Sequence, residues 1–171
     1  MAKRVSLREF QAHLATRLAD AGSRTVAGLL GVQVGSDFWL VSLTDSGEIV
    51  SLPTLTGVPL TRPWFVGIAN IRGKLYSVVD FSAFQGREAT PQNASSRLLL
   101  IGARHGSNAA LLVTKMLGLR NAEDLKPAPA EAAAPPWAAQ AFTDWEGRRW
   151  RLLDVRELLA DERFMDIGVG S

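Results

Sequence analysis

The sequence contains no cysteine and only two histidines among its 171 residues. The absence of cysteine excludes disulfides, thiol catalysis and thiolate metal sites. The histidines, His13 and His105, are far apart in the sequence, so a metal site would need carboxylates alone, and no dense acidic cluster is present. We therefore expect no metal and no cofactor, and we interpret both histidines as surface residues.

The sequence also lacks the common fingerprints of catalysis. It has no Gly-x-Ser-x-Gly elbow, no P-loop and no dinucleotide-binding glycine pattern. Asp80 and Asp154 could form a carboxylate pair, but each ends an apolar run and precedes a short helical pattern, so helix capping explains both equally well. The sequence therefore predicts a protein that is not an enzyme.

Long apolar runs and a large net charge are missing as well. The sequence has no stretch of about 18 apolar residues, the length needed to span a membrane. The N-terminus has no apolar signal-peptide core. The net charge of +2 is too small to indicate a nucleic-acid surface by itself. At this length the chain forms one domain or two small lobes with a sizeable core. These observations predict a soluble, intracellular protein with no direct membrane insertion.

What the sequence does contain is a segment written twice. Residues 73–81 recur as 147–155, each copy with a glycine, a basic residue, an aromatic residue, aliphatic residues and an aspartate in the same order. A second pair, 35–41 and 106–112, repeats in the same order along the chain. The repetition predicts one small β unit built twice, giving two pseudo-equivalent lobes with a cleft between them.

The repeated strands indicate which face is buried. Tyr76 and Val78 align with Trp150 and Leu152, and these positions are apolar in both copies. Because side chains alternate along a strand, this face is predicted to be the interior of each lobe. The alternate face differs between the copies and is predicted to point outward, which suits either different partners or sequence drift on a free surface.

Other segments predict the elements around these strands. Ser6 to Glu9 fits a capping box, and the apolar stripe that follows predicts an amphipathic helix over about 7–21. That stripe suits packing on the protein itself and docking to a partner equally well. Arg72-Gly73 predicts a tight hairpin turn with positive φ at the glycine. The predicted domains are a helical extension (1–24), a domain of two interleaved β-barrel lobes (25–160) with an exposed Pro/Ala loop (127–136), and a C-terminal tail (161–171).

The segment from Pro63 to Asp80 carries a family resemblance. It contains a proline-led approach, a glycine, an Asn-Ile-Arg-Gly turn and an aliphatic strand that ends in aspartate, and it resembles the signature of the CheW family. Features at 111–113, 125–129 and 152–154 also fit, so the resemblance covers about residues 25–160. It implies a mainly β fold of two pseudo-equivalent five-stranded SH3-like β-barrels, with short capping helices beside the N-terminal helix.

The resemblance also implies a function. CheW-like proteins are non-catalytic adaptors of bacterial chemosensory arrays, and they couple the cytoplasmic tip of a methyl-accepting chemoreceptor to the regulatory domain of a CheA-type histidine kinase. The implied location is the cytoplasm, at the membrane-bound receptor array. The long N-terminal helix and the Pro/Ala insertion resemble the CheW-type adaptors of the type IV pilus pathway, which controls twitching motility.

Individual positions carry the family roles. Arg72 matches the family's turn arginine and Glu48 matches an acidic position ahead of the proline loop; in the family both affect partner coupling, and a contact between them is compatible with that role. Thr114 stands where the family usually has aspartate. The expected receptor-side residues are Glu48, Ile49, Arg72, Val113 and Thr114, and the expected kinase-side residues are Val66, Ile68 and Leu75.

An alternative from a different class is a small β-barrel that binds single-stranded nucleic acid. Five tryptophans and surface arginines suit such a barrel, because bases stack on exposed aromatic rings. The position of Tyr76 and Trp150 on the predicted interior face counts against this alternative, as does the small net charge.

Overall fold

The structure, a computed structural model, describes residues 28–101 and 106–168, which form a mainly β protein. The strands are β1 (Leu29–Val34), β2 (Asp37–Ser42), β3 (Ser46–Ser51), β4 (Phe65–Ile71), β5 (Lys74–Asp80), β6 (Arg97–Ile101), β7 (Ala109–Val113), β8 (Lys115–Arg120), β9 (Leu125–Ala128), β10 (Gln140–Asp144) and β11 (Arg149–Leu153). The helices are α1 (Phe81–Phe84), α2 (Val155–Ala160) and α3 (Glu162–Met165), with 3-10 turns at Ala122–Asp124 and Pro136–Ala138.

The strands form two sheets, and each sheet contains strands from both halves of the chain. Sheet I has the order β3-β6-β7-β5-β4, and sheet II has the order β8-β1-β2-β11-β10-β9. In sheet I, β5 pairs in parallel with β7; in sheet II, β11 pairs in parallel with β2. These four strands are the repeated segments, so each sheet takes one strand from the first half of the chain and one from the second. The two halves of the chain are therefore interleaved in both sheets.

Three apolar clusters hold the sheets together. Tyr76 and Val78 lie in the cluster inside sheet I, and Trp150 lies in the cluster inside sheet II with Leu152 packed against it, as predicted. The largest cluster lies between the sheets and draws on both of them. Val79 and Leu153, on the face predicted to point outward, are each only 2% exposed within this shared core. That prediction is wrong for these two residues, because the lobes pack on each other through this face.

The aspartates that end β5 and β11 are helix caps. The Asp80 carboxylate accepts hydrogen bonds from the backbone N–H groups of Ser82 and Ala83 at the start of α1. It also accepts from the backbone N–H and the hydroxyl of Thr90, both at 2.7 Å. Asp154 accepts from the Glu157 N–H at the start of α2. The capping explanation therefore accounts for both residues.

Three predicted segments differ from expectation or lie outside the described residues. The predicted N-terminal helix belongs to residues that the structure does not describe. The Pro/Ala segment 127–136 begins as part of the edge strand β9, where Pro127 pairs with Phe142, so sheet II has six strands instead of five. Proline is tolerated there because an edge strand leaves N–H positions unused. In the predicted tail, α3 buries Phe164 in the shared core.

No helix in the part of the chain that the structure describes combines the length and the apolar character needed to cross a membrane.

Candidate protein-interaction surface

The turn between β4 and β5 presents the arginine of the resemblance motif. Arg72 and Gly73 have φ values of +52° and +84°, the signs required by a type I′ hairpin turn. The Asn70 side-chain oxygen accepts a hydrogen bond of 3.0 Å from the Gly73 N–H and supports this conformation. The asparagine, arginine and glycine of the motif therefore act together, because they build a tight turn that holds the Arg72 side chain at the tip of the hairpin.

Arg72 forms an ion pair with Glu48, and the pair joins the two edges of sheet I. Glu48 lies on β3, whereas Arg72 follows β4, and these are the outermost strands of the sheet. The hydrogen bond to Glu48, reinforced by the charge of its carboxylate, raises the pKa of Arg72. The side chains are 68% and 45% exposed, so the pair contributes little stability. What the pair does is fix the guanidinium in a position that a partner can reach.

The other expected receptor-side residues are less accessible. Ile49 is half-buried against the shared core. Val113, also expected on the receptor side, is only 1% exposed within that core. The Thr114 hydroxyl accepts a 2.8 Å hydrogen bond from the Gly35 N–H, and its own N–H donates to the Gln33 carbonyl. In this structure Thr114 therefore anchors the β1–β2 turn.

The expected kinase-side residues lie on the β4–β5 hairpin. Leu75 on β5 is 60% exposed, although the next residue, Tyr76, is buried. Val66 and Ile68 on the edge strand β4 are half-buried, one against the cluster inside sheet I and the other against the shared core. Leu75 is thus the one residue of these three with an open apolar side chain, and Val66 and Ile68 support the strand beneath it.

The structure also brings together charged residues that the sequence analysis did not single out. The Asp37 carboxylate forms ion pairs with Arg87 and Arg151, and Arg151 also pairs with Glu131. Arg148 lies over the Phe38 ring at 4.2 Å from its centroid. The available signal was the basic run at 148–151 in the second repeat copy, where the first copy has Lys74 to Ser77.

Nothing in the described part of the chain resembles a catalytic or metal centre. No group of three or more His, Asp or Glu side chains in residues 28–101 and 106–168 could hold a metal ion. Asp80 and Asp154 are occupied as caps, and both histidines belong to residues that the structure does not describe. Tyr76 and Trp150 are 8% and 0% exposed, so neither ring is available to stack on a base.

Comparisons with known proteins identify a domain family and a solved structure with a similar fold. The family model for the CheW-like domain matches residues 28–163. The chain is 27% identical over 146 residues to Protein PilI of Pseudomonas aeruginosa strain PAO1, an alignment that covers 82% of this chain and 79% of that protein. The crystal structure of the scaffolding protein TtCheW from Thermoanaerobacter tengcongensis has a similar fold, with a TM-score of 0.67 at 16% identity, covering 82% of this chain and 96% of that one.

Two interleaved sheets around a shared core, with an exposed ion pair at a hairpin tip, define a small β domain with charged surface sites. The match over most of the length shows that the chain belongs to the CheW-like domain family. Proteins of this family are non-catalytic scaffolds, which agrees with the prediction that the chain is not an enzyme.

Proposed function

We propose that this protein is the adaptor of a bacterial chemosensory array and couples chemoreceptor tips to a CheA-type histidine kinase. The observation that carries the proposal is the exposed Arg72–Glu48 pair on the family's turn motif, inside a domain that matches the family along its length. An arginine with a fixed, accessible guanidinium suits recognition of a protein partner better than it suits stability. The adaptor would act in the cytoplasm, at the receptor array.

The pathway we propose is the one that controls type IV pilus twitching motility. The support is the similarity to Protein PilI, which extends over four fifths of both chains.

The finer fold we propose is that each sheet closes into an SH3-like barrel. Two observations support this closure for sheet I. The Arg72–Glu48 ion pair joins its two edge strands, and the chain that follows β3 crosses to β4, where Thr56 forms a β-bridge with Ile68.

We assign the two partners to different residues of sheet I and of the segment that directly follows β7. The receptor contacts Arg72, Glu48 and Thr114, with Ile49 and Val113 supporting them from the core. The kinase regulatory domain contacts Leu75, with Val66 and Ile68 shaping the strand behind it. An exposed leucine beside a charged turn is the usual composition of an interface centre and its rim.

The receptor assignment predicts that Arg72→Glu impairs coupling while the fold remains intact. Reversing an exposed charge changes stability little but places like charges at the interface. We expect kinase activation in a reconstituted receptor–adaptor–kinase assay to fall by about tenfold or more, a free-energy change of about 1.4 kcal/mol. The melting temperature should change little, and Arg156→Glu, at an exposed arginine on α2, is the matched control.

The double variant Arg72→Glu with Glu48→Arg separates two roles of the pair. It restores the ion pair with the charges exchanged, so it should remain impaired if Arg72 contacts the partner. Full recovery would show that only the pair itself matters, and unchanged activation by Arg72→Glu alone would contradict the receptor assignment.

The kinase assignment is tested by calorimetric titration with the kinase regulatory domain from the same organism. Leu75→Glu should weaken one-to-one binding by about tenfold or more, because a central apolar contact is lost and a charge is buried. Leu119→Glu is the matched control, since Leu119 is similarly exposed, at 72%, on sheet II. Equal effects of the two variants, or no binding by the unmodified protein, would overturn the assignment.

A further inference from the structure

A groove on sheet II is lined by none of the residues of the proposed adaptor sites, although Thr114 holds the β1–β2 turn at one side of it. It has a volume of about 460 Å³ and separates the β1–β2 turn from the β10–β11 hairpin. Its lining residues are Ser36, Asp37, Phe38, Glu146, Gly147, Arg148, Arg149 and Arg151. We call it the arginine groove. Its volume is within the range of sites that hold a small ligand or a few residues of a peptide.

The arginines of the groove have more donors than the protein satisfies. Each guanidinium carries five N–H donors. Arg148 makes no ion pair and no side-chain hydrogen bond with any residue that the structure describes, although its guanidinium lies over the Phe38 ring and its charge acts on the Asp144 carboxylate. Arg149 donates to the Pro129 carbonyl, and that is its one side-chain hydrogen bond within the same residues. By contrast, Arg151 is held by Asp37 and Glu131.

A smaller cavity of about 100 Å³ adjoins the groove, and its lining also has more N–H donors than acceptors to satisfy them. It shares Arg149 and Arg151 with the groove and is also lined by Trp39. Trp39 is 1% exposed, and its indole N–H is buried without an acceptor in the part of the chain that the structure describes. Both spaces therefore present N–H donors that lack acceptors, which favours a ligand rich in negatively charged oxygen atoms.

The protein itself shows how such a ligand can bind. The segment that follows β9 lies along the same arginines, with the Glu131 carboxylate on Arg151 and the Pro129 carbonyl on Arg149. A backbone carbonyl and a carboxylate of one chain segment therefore already satisfy one end of this cluster. Arg148, at the other end, has no equivalent partner within the described residues.

We propose that the arginine groove binds an acidic, extended peptide segment of a partner protein, with its carboxylates on Arg148 and Arg149. Glu146 and Asp37 line the same groove and would repel a continuous phosphate backbone, whereas separated carboxylates can avoid them. The chain's net charge of +2 provides no extended basic surface for nucleic acid. The proposal is independent of the adaptor assignment, because none of its residues is among those assigned to receptor or kinase.

The test is calorimetric titration of the full chain with a capped peptide of alternating glutamate and glycine. The same peptide with glutamine in place of glutamate is the uncharged control. We expect saturable binding of the acidic peptide, weakened about tenfold by Arg148→Gln and by Arg149→Gln because each variant removes charge-assisted hydrogen bonds. Arg156→Gln should leave binding unchanged, and binding of the kinase regulatory domain should be unaffected by any of the three.

Several outcomes would overturn the proposal. Tighter binding of inorganic phosphate or of a single-stranded oligonucleotide would assign the groove to a different ligand. An equal loss of affinity in Arg156→Gln would show attraction to the overall charge instead of a site, and the absence of saturable binding would remove the site altogether. If loss of the Phe38 contact unfolds Arg148→Gln, Arg149→Gln still decides the matter, because the Arg149 side chain is exposed and its one hydrogen bond goes to a loop carbonyl.

Discussion

Asp144 organises the β10–β11 hairpin through three hydrogen bonds. One carboxylate oxygen accepts from the backbone N–H groups of Glu146 and Arg148, and the other accepts from the Trp150 indole N–H, each at 2.9 Å. Burial raises the pKa of Asp144, but the hydrogen bonds to the ionised form outweigh burial and the net shift is downward. A single side chain thus links the turn beside the arginine groove to the core of sheet II.

The lowered pKa predicts a pH-dependent contribution of Asp144 to stability. The unfolded carboxyl titrates near pH 3.9, so its contribution is present above about pH 4 and is lost as the pH falls through the lower folded pKa. Asp144→Asn should therefore destabilise the protein by about 1–2 kcal/mol at pH 7. Urea denaturation at several pH values should show this difference as constant above about pH 5 and shrinking below pH 4. A difference that does not change with pH would contradict the prediction.

At the level of single residues, part of the site could be predicted from the sequence. The Arg72 turn and the positive φ of Gly73 followed from local residue preferences, and the family resemblance indicated the position of Glu48. The burial of Val113 could not be predicted, because it depends on how the two sheets pack into a shared core. The contacts of Asp144 form only when the hairpin closes, so no local sequence pattern indicates them.

The edge strand β4 depends on a close approach between two backbones. Thr56 and Ile68 exchange backbone hydrogen bonds of 2.8 and 2.9 Å, which extend sheet I by one bridge. Gly67, with φ of +141°, lies against this bridge, and a Cβ on it would be 2.4 Å from the Thr56 carbonyl oxygen. The glycine ahead of the turn motif is therefore needed where the chain crosses from one edge of the sheet to the other.

This contact predicts that Gly67→Ala is more damaging than an alanine at another glycine with positive φ. Gly73→Ala is the matched control, because Gly73 has open space around its Cβ position and suffers only the backbone strain. We expect Gly73→Ala to cost about 1 kcal/mol and Gly67→Ala about 2–4 kcal/mol, since the latter must also displace backbone. Denaturant unfolding of the two variants measures both, and equal losses would show that the close approach relaxes without cost.

The sequence indicated the turns and the capped helices, but it did not indicate correctly how the repeated segments 35–41 and 106–112 align with each other. The turns and capped helices follow from local patterns, and α1 and α2 begin directly after Asp80 and Asp154, where short helical patterns were predicted. The sequence repeat places Gly35 opposite Gly106 and hence Trp39 opposite Ala110. The strand pairing makes Ala109 the equivalent of Trp39, since Arg151 pairs with Trp39 and its repeat counterpart Ser77 pairs with Ala109. A slip of one residue reverses every side chain, so only the packing could settle this alignment.

At the scale of the whole molecule, the repeat predicted two units and the predicted domain organisation had them interleaved, but no sequence pattern specified which strands pair. The pairs β5 with β7 and β11 with β2 join strands far apart in the sequence, and no local pattern encodes such a choice. This interleaving has a physical consequence. Sheet I needs β6 and β7 from the second half of the chain, and sheet II needs β1 and β2 from the first half. Neither half can complete a sheet or the shared core alone.

The interleaving predicts that a chain divided between Glu88 and Ala89 folds only when both pieces are present. This bond lies in an exposed connection, and the buried hydrogen bonds from Thr90 to Asp80 would then join the two fragments. Each fragment alone should lack a cooperative thermal transition, and an equimolar mixture should regain one, because small domains unfold as a unit only with a complete core. A protease site inserted at the same bond and cut after folding is the control, since the nicked protein should migrate as one species in gel filtration. A fragment that unfolds cooperatively on its own would show that the two sheets are separable domains, and the shared core would then not be what holds the molecule together.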